Sequence, residues 1–482
     1  MLSPSVSLGL PSGSQTAGSS LPGPAADTVI DLQSERAAGL AGFWKTYANR
    51  IITVASVAIL VGLQASLVIR EPIFSPVDEV QHTDYIRAIA EEGHPPLYGQ
   101  ALIDRRLLDL FVHVYPGHAT DAQLTPDRVG FFNLESYESA QFPLYYVAMA
   151  PVYRLLDFDL RLAVMVLRYI NVLLSAVLFL VAAQVAATVA PTRRALATLA
   201  TLSVMLPPGI ALRSSQVTNQ VLTALLVAVL LYLLFRTEKK TNTRSSLLEG
   251  AVFGLALMAK LTAVAMGPAV ALAWATRPGG IRARMLPGFA SFLVVCLPWL
   301  VWSGIVYHFP LPWATRHYER LFDVPFTIPR SFSGIVQLAS NLARFFWTPW
   351  EWRTVGGPGK VLAITIVVAG TILLLAAAVN GAVRALAART DQEWRPMAIA
   401  VTSLVAGVVG WLALIIALDR VYETDTRELY LFVAPLAVIL TGLLVRLPRR
   451  LAQVGIVAWL GLLLISNYAF FAVGVCIYRP CV

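Results

Sequence analysis

Residues 75–82 read Ser75-Pro76-Val77-Asp78-Glu79-Val80-Gln81-His82 and follow directly on a long apolar stretch. A bilayer rejects carboxylates, so acids kept at its rim act on something there. On a helix, neighbouring residues point about 100° apart, so Asp78 and Glu79 are not a facing pair and one of them aims away from the other. His82 lies one turn after Asp78 and shares its face. Asp78 and His82 could bind a hydroxyl together, or hold a divalent ion such as Mg or Mn with Glu79 as a further ligand. The plainer alternative is that Pro76 and the acids start a juxtamembrane helix. On the residues alone both stay open.

The cations that could answer such an acid are spread along the chain: Arg213, Lys260, His308, Arg316, His317, Arg330, Arg344, Arg353 and Arg427. A carboxylate that takes the proton of an incoming hydroxyl, with fixed cations that neutralise a departing phosphate, suits group transfer from a phosphorylated carrier. Lys260 reads equally as a snorkelling lysine or as a ligand for an anionic headgroup. Arg427 stands beside Glu423, Asp425 and Glu428, so a salt bridge competes with phosphate binding. His308 and His317 are too far apart in sequence for a metal-ligand spacing. The run Phe345-Phe346-Trp347-Thr348-Pro349-Trp350-Glu351-Trp352-Arg353 reads as an interfacial belt or as an aromatic wall for a sugar or prenyl chain. Phosphate-binding glycine loops, zinc spacings and nucleophile elbows are missing from the sequence, which leaves ATP-driven work and serine hydrolysis without support.

The elements that must position these groups are membrane helices. The 482 residues are 57% hydrophobic and 13% charged, and the mean hydropathy is +0.68. That is too little polar surface for a soluble globule. The apolar runs, roughly 18–25 residues each, match the thickness of a hydrocarbon core as helices. The net charge of +9 sits in short inter-helix loops, as expected of cytoplasmic loops and not of a nucleic-acid surface.

Expected spans are 51–69, 162–190, 195–212, 217–235, a pair within 247–276, 283–305, 360–380, 397–418, 429–446 and 452–474. Residues 247–276 begin and end beside basic loops. They must therefore go up and come back, with Lys260 at the apex, because a single crossing would hold that lysine at mid-membrane for about 2.5–3.5 kcal/mol. Residues 142–153, short and interrupted by Pro143 and Pro151, read as a helix in the outer interface. The result is an all-α polytopic transmembrane bundle of about eleven spans, with the N-terminus cytoplasmic and the C-terminus extracytoplasmic. The large extracytoplasmic loops are 70–161, with juxtamembrane helices, and 306–359. Residues 1–40, rich in Ser, Pro, Gly and Ala, are expected to be a disordered cytoplasmic tail. The catalytic domain then covers 41–446, and 447–482 form a last span and short tail. Cys296 is expected to be a buried inert thiol, whereas Cys476 and Cys481 leave a local disulfide open.

Three stretches carry a family resemblance. Pro76-Val77-Asp78-Glu79 with His82, Tyr85 and Gly93-His94-Pro95-Pro96 resembles the first outer loop of GT-C glycosyltransferases, of the protein O-mannosyltransferase-like and aminoarabinose-transferase-like kinds. Phe142-Pro143-Leu144-Tyr145-Tyr146 and the Gly254-to-Thr262 stretch around Lys260 are similar to further motifs of that superfamily, as is Arg427-Glu428-Leu429-Tyr430 before a late span. Asn219-Gln220 departs from it, since many relatives carry an acid there. The resemblance implies inverting transfer of a sugar from a polyprenyl-phosphate donor to an envelope lipid or glycan, on the outer face of a bacterial cytoplasmic membrane. It implies Asp78 as general base, Glu79 as supporting acid or metal ligand, and His82 as a positioning group. Lys260, Arg427 and Arg213 would hold the donor phosphate, while Tyr85, Tyr145, Tyr146, His308, Trp347 and Trp350 would line the substrate. The rival reading is a transporter, flippase or lipid-binding scaffold for a lipid-linked saccharide. Against transport, the cytoplasmic halves of the spans are almost wholly apolar.

Overall fold

A computed structural model of the chain describes residues 26–74, 78–98, 100–114, 136–236, 242–308, 346–348, 357–387, 394–417 and 430–473. Arg427, Trp350, Arg316, His317, Arg330, Arg344, Arg353, Cys476 and Cys481 lie outside the described residues. The chain divides into an N-terminal unit, Met1–Arg50, and a body, Ile51–Val482.

The fold is all-α. Its first helix, α1, runs Ala26–Arg70, so residues 26–40, expected to be disordered, are helical. The Gly- and Pro-rich composition that suggested disorder ends near Pro24. From Ala26 to Arg36 the chain has no Gly or Pro and is rich in helix formers.

Helices α2 (Glu79–Glu92) and α3 (Arg105–Val114) follow in the first loop. Gly93, at φ 78°, closes α2 in the left-handed region that glycine adopts without strain. Helix α4 (Leu144–Leu156) comes next. Then α5 (Leu160–Ala186) starts on Asp159, whose side chain accepts from the backbone N–H of Arg161 and Leu162. The remaining helices are α6 (Arg194–Met205), α7 (Pro208–Ser214), α8 (Gln220–Phe235), α9 (Thr243–Ala259) and α10 (Gly267–Ala275). They are followed by α11 (Gly280–Tyr307), α12 (Gly357–Ala387), α13 (Trp394–Ala417), α14 (Val433–Arg446) and α15 (Arg449–Val473).

Each expected span therefore has its helix, although among the described residues only 5 helices are long and apolar enough to cross a membrane by themselves. The expected straight span 195–212 is instead α6 and α7, bent by 82°. The cause is local: Pro207 and Pro208 interrupt the hydrogen-bond ladder, and the residue before a proline avoids the helical region. Pro207 itself is at ψ 135°.

The expected hairpin is present. Lys260 breaks the helix in an extended conformation, φ −159° and ψ 134°, and the chain returns through a 3-10 turn, Leu261–Met266, into α10. The return is proved at the far end, where Trp274 Nε1 donates to Glu249 Oε2 at 2.7 Å and Arg277 pairs with Glu249. Small residues let α9 lie close against α11: a Cβ on Gly250 would stand 1.9 Å from the Gly288 carbonyl oxygen.

Basic residues from several loops gather at that same end. Arg277 Nη2 donates to the Leu234 carbonyl at 2.8 Å and Arg395 Nη2 to the same oxygen at 2.7 Å. Arg193 Nη1 donates to the Val445 carbonyl at 3.0 Å, and Arg384 Nη1 to that of Gly442 at 3.3 Å. These cations close the free carbonyls at helix C-termini. They leave the opposite ends of α8 and α9 to the acidic loop.

Candidate functional site

Asp78 occupies the residue before α2 with φ 65° and ψ −10°. A non-glycine residue in the left-handed region is uncommon, and strain of this kind clusters at functional sites. The turn separates the two neighbouring acids: Asp78 is half-buried, whereas Glu79 is 1% exposed.

Glu79 is committed to a partner that the sequence reading missed. Arg168, 0% exposed in α5, donates from Nε to Glu79 Oε1 at 2.8 Å and from Nη2 to Oε2 at 2.5 Å. The same guanidinium donates to the carbonyls of Glu71 at 3.1 Å and Pro72 at 2.8 Å. Glu79 Oε1 also accepts from the Val217 backbone N–H at 2.8 Å. One planar fork thus fixes the end of α1, the start of α2 and the α7–α8 loop. A single arginine inside an apolar span is the signal that would have found it, since a buried charge there requires an acid.

His82 faces α4. Its Nδ1 lies 2.9 Å from the Tyr146 hydroxyl and 3.6 Å from Glu138 Oε2, and Tyr146 donates to Glu138 Oε2 at 3.5 Å. Burial first, then Glu138, pushes the Tyr146 phenol well above its ordinary value, so it stays a donor. Tyr85 stacks on Tyr146 with ring centroids 3.8 Å apart and donates to the Gln141 carbonyl at 3.2 Å. Tyr145 donates to Asn171 Oδ1 at 3.3 Å, and Asn171 Nδ2 donates to the Gln216 carbonyl at 2.6 Å. Glu138 was missed because no sequence motif ties it to the acid pair. Only its place before Pro143 could have pointed to it.

The α7–α8 loop joins this cluster to the hairpin. Asn219 Nδ2 donates to the Ala259 carbonyl at 3.1 Å, and to the Tyr146 hydroxyl at 3.5 Å. Lys260, buried, is the next residue after Ala259. Arg213 Nη1 donates to Gln216 Oε1 at 2.8 Å on the same loop. The Tyr430 hydroxyl bonds that of Ser214, which fixes the start of the last helices beside it.

Asp78, Glu79, His82, Tyr85, Tyr145 and Tyr146 are thus brought together, with Lys260 and Arg213 on segments bonded to them. One expected substrate residue packs elsewhere. Trp347 is buried between α12 and α15, where Nε1 donates to Thr371 at 3.1 Å and the ring meets Trp459 edge-on at 5.5 Å. Its aromatic surface is spent on helix packing. His308 is exposed at the end of α11 with φ 58°. Cys296 is buried, as expected.

Among the described residues no group of three or more His, Cys, Asp or Glu is placed to hold a metal ion. Asp78, Glu79 and His82 do not form such a set, and both Glu79 carboxylate oxygens are taken by Arg168.

Comparison with solved structures finds a similar all-helical membrane fold. ArnT from Cupriavidus metallidurans bound to undecaprenyl phosphate is similar, with a TM-score of 0.51 at 13% identity, over 88% of this chain and 76% of that one. The same protein in the apo state gives 0.50 at 14% identity, with the same coverage. The sequence profile of the dolichyl-phosphate-mannose-protein mannosyltransferase family matches residues 144–302, from the start of α4 to near the end of α11. No curated protein sequence matches the chain.

Proposed function

We propose that this protein is a GT-C glycosyltransferase that moves a sugar from a polyprenyl-phosphate donor to an envelope lipid or glycan acceptor. The observation that carries the reading is the division of labour between adjacent acids. Glu79 is locked into the fold by Arg168, while Asp78 is held half-open on a strained turn, and Asn219 ties the Lys260 hairpin to Tyr146 of the same cluster.

In this reading Asp78 takes the proton of the acceptor hydroxyl as its oxygen bonds to the anomeric carbon. The bond from that carbon to the donor phosphate oxygen breaks, and the electron pair leaves with the phosphate. Attack from the face opposite the phosphate inverts the anomeric centre. Lys260 and Arg213, with Arg427, neutralise the departing charge. Glu79 is a positioning residue acting through Arg168. His82, Tyr146 and Glu138 orient the acceptor side. The basic end of the bundle, read as cytoplasmic from its charge, supports a site at the outer face of the cytoplasmic membrane, where a lipid-linked donor replaces nucleotide sugars. The same reading favours an N-terminus inside and a C-terminus outside.

The test is transfer from a panel of radiolabelled polyprenyl-phosphate sugars to envelope lipid and glycan extracts, with wild type and Asp78→Asn side by side. Product from wild type alone supports enzyme class and base together. Labelled lipid crossing vesicles without glycosidic product would replace this reading with transport.

A further inference from the structure

The end of the α7–α8 loop and the first residue of α8 bring two neutral amides to the site, Asn219 and Gln220, with their oxygens unused. Asn219 is 1% exposed, and its Nδ2 is spent on the Ala259 carbonyl and the Tyr146 hydroxyl. The orientation is fixed by chemistry: a flipped amide would set Oδ1 against the Ala259 oxygen, two acceptors with no proton between them. Oδ1 therefore points away from the hairpin backbone. It has no hydrogen-bond partner among the described residues, and neither has Gln220 Oε1 on the next residue, nor Thr262 Oγ1 just past Lys260.

A buried acceptor without a donor costs stability, and native folds rarely keep several together unless something supplies the protons. Here three lie on the two segments that the Asn219–Ala259 bond ties together, around one lysine. A group that offers several O–H donors beside a phosphate held by a cation is a glycosyl phosphate. The charge of the site selects further. Glu79 is neutralised by Arg168, Glu71 accepts from Gln216 Nε2 at 3.4 Å, Glu138 accepts from Tyr146 beside His82, and Asp78 serves as base. Amide oxygens bring no charge to offset a buried ammonium.

We propose that Asn219, with Gln220 and Thr262, is the sugar-recognising subsite, and that it takes the hydroxyls of a neutral glycosyl group in preference to an amino sugar. The proposal rests on the glycosyltransferase reading above and names the substrate class of that site.

The test measures binding to the purified full chain of bare undecaprenyl phosphate and of the same carrier bearing a neutral hexose, a neutral pentose or an amino sugar. Wild type is compared with Asn219→Ala and with Gln220→Leu, which keeps the Asn219 bond to Ala259. We expect at least one neutral-sugar carrier to bind more tightly than bare carrier. Asn219→Ala should weaken that binding by roughly tenfold or more and weaken bare carrier by less, through the lost bond to the Ala259 carbonyl. Gln220→Leu should shift it in the same direction by less, and it decides the matter if Asn219→Ala does not fold. An equal loss for bare and sugar-bearing carrier would make Asn219 a mere structural bridge and overturn the proposal. So would unchanged binding in both variants, or a wild-type preference for the amino sugar. Bare carrier bound with no gain from any sugar removes the subsite alone, whereas no carrier bound at all removes the glycosyltransferase reading with it.

Discussion

The two ends of α8 and α9 each carry a buried glutamate paired with an arginine, and the pairs are used differently. At the basic end Glu249 takes Arg277, Trp274 and Ser245, whose hydroxyl donates at 3.0 Å. Its neighbours are other helix ends. At the acidic end Glu79 takes Arg168 and the Val217 N–H, but the residue beside it is a half-buried aspartate on a left-handed turn. A buried ion pair is by itself poor testimony to chemistry, because either pair would be costly to break. What separates the ends is the unused capacity around the pair: a strained acid and oxygens without donors at one, helix-closing cations at the other.

The largest expected effect tests that difference directly. Asp78→Asn should lower transfer by roughly 10²–10⁴-fold while Glu79 keeps its Arg168 pair, the rate being compared on folded protein with its melting temperature read in detergent. If the variant keeps full activity while folded, the acidic end loses its claim to be catalytic. Next in size, Arg168→Met should strand Glu79 and destabilise the protein by about 3–5 kcal/mol, read as a fall in melting temperature. Replacing both with leucine should recover most of it. At the basic end Glu249→Leu should cost a similar amount. There, however, the protein that remains folded should keep its transfer rate, and a lost rate would mean that the two ends are not independent.

Much of this comparison was legible in the sequence because bilayers are strict. Basic loops forced residues 247–276 into a hairpin, and the Glu249 contacts to Trp274 and Arg277 confirm it. The acid pair was visible because it abuts an apolar run. What periodicity and charge counting cannot show is which partner a side chain finds across the bundle. Arg168 meets Glu79 from 89 positions away and Asn219 meets Ala259 from 40, while Glu138 meets His82 from another element. Trp347 failed for the same reason: an aromatic cluster looks alike whether it meets a ligand or, as here, Thr371 and Trp459. Residues 26–40 show the opposite error, in which overall composition hid a local run of helix formers.

A smaller effect probes how the hairpin is held between the ends. Gly250→Ala would place a methyl 1.9 Å from the Gly288 carbonyl oxygen, which is backbone and cannot swing aside. Overpacking of this kind costs about 1–3 kcal/mol. The melting temperature should fall, and since α9 carries Lys260 at its tip, the affinity for bare undecaprenyl phosphate should fall with it. A stable variant with unaltered affinity would show that the α9–α11 contact does not set the lysine's position.

The smallest effect lies in the first loop, behind α2. Arg87 donates to Asp84 Oδ1 at 3.0 Å and to Glu92 at 2.8 Å, and the Asp104 N–H donates to the same Asp84 oxygen at 3.1 Å. Burial pushes the Asp84 carboxyl up, against the pull of Arg87. Asp104 goes the other way: its partial burial would raise it, but hydrogen bonds from Arg106 hold it below the ordinary carboxylate value. A carboxyl lowered by folding stabilises the folded state above its unfolded value of 3.8, and that contribution fades as pH falls through the lower, folded value. Asp104→Asn should therefore lower the melting temperature slightly at pH 7, and the difference from wild type should vanish in acid below the carboxylate range. A difference that instead grew on acidification would assign the stability of this loop to protonated Asp84 and not to the Asp104–Arg106 pair.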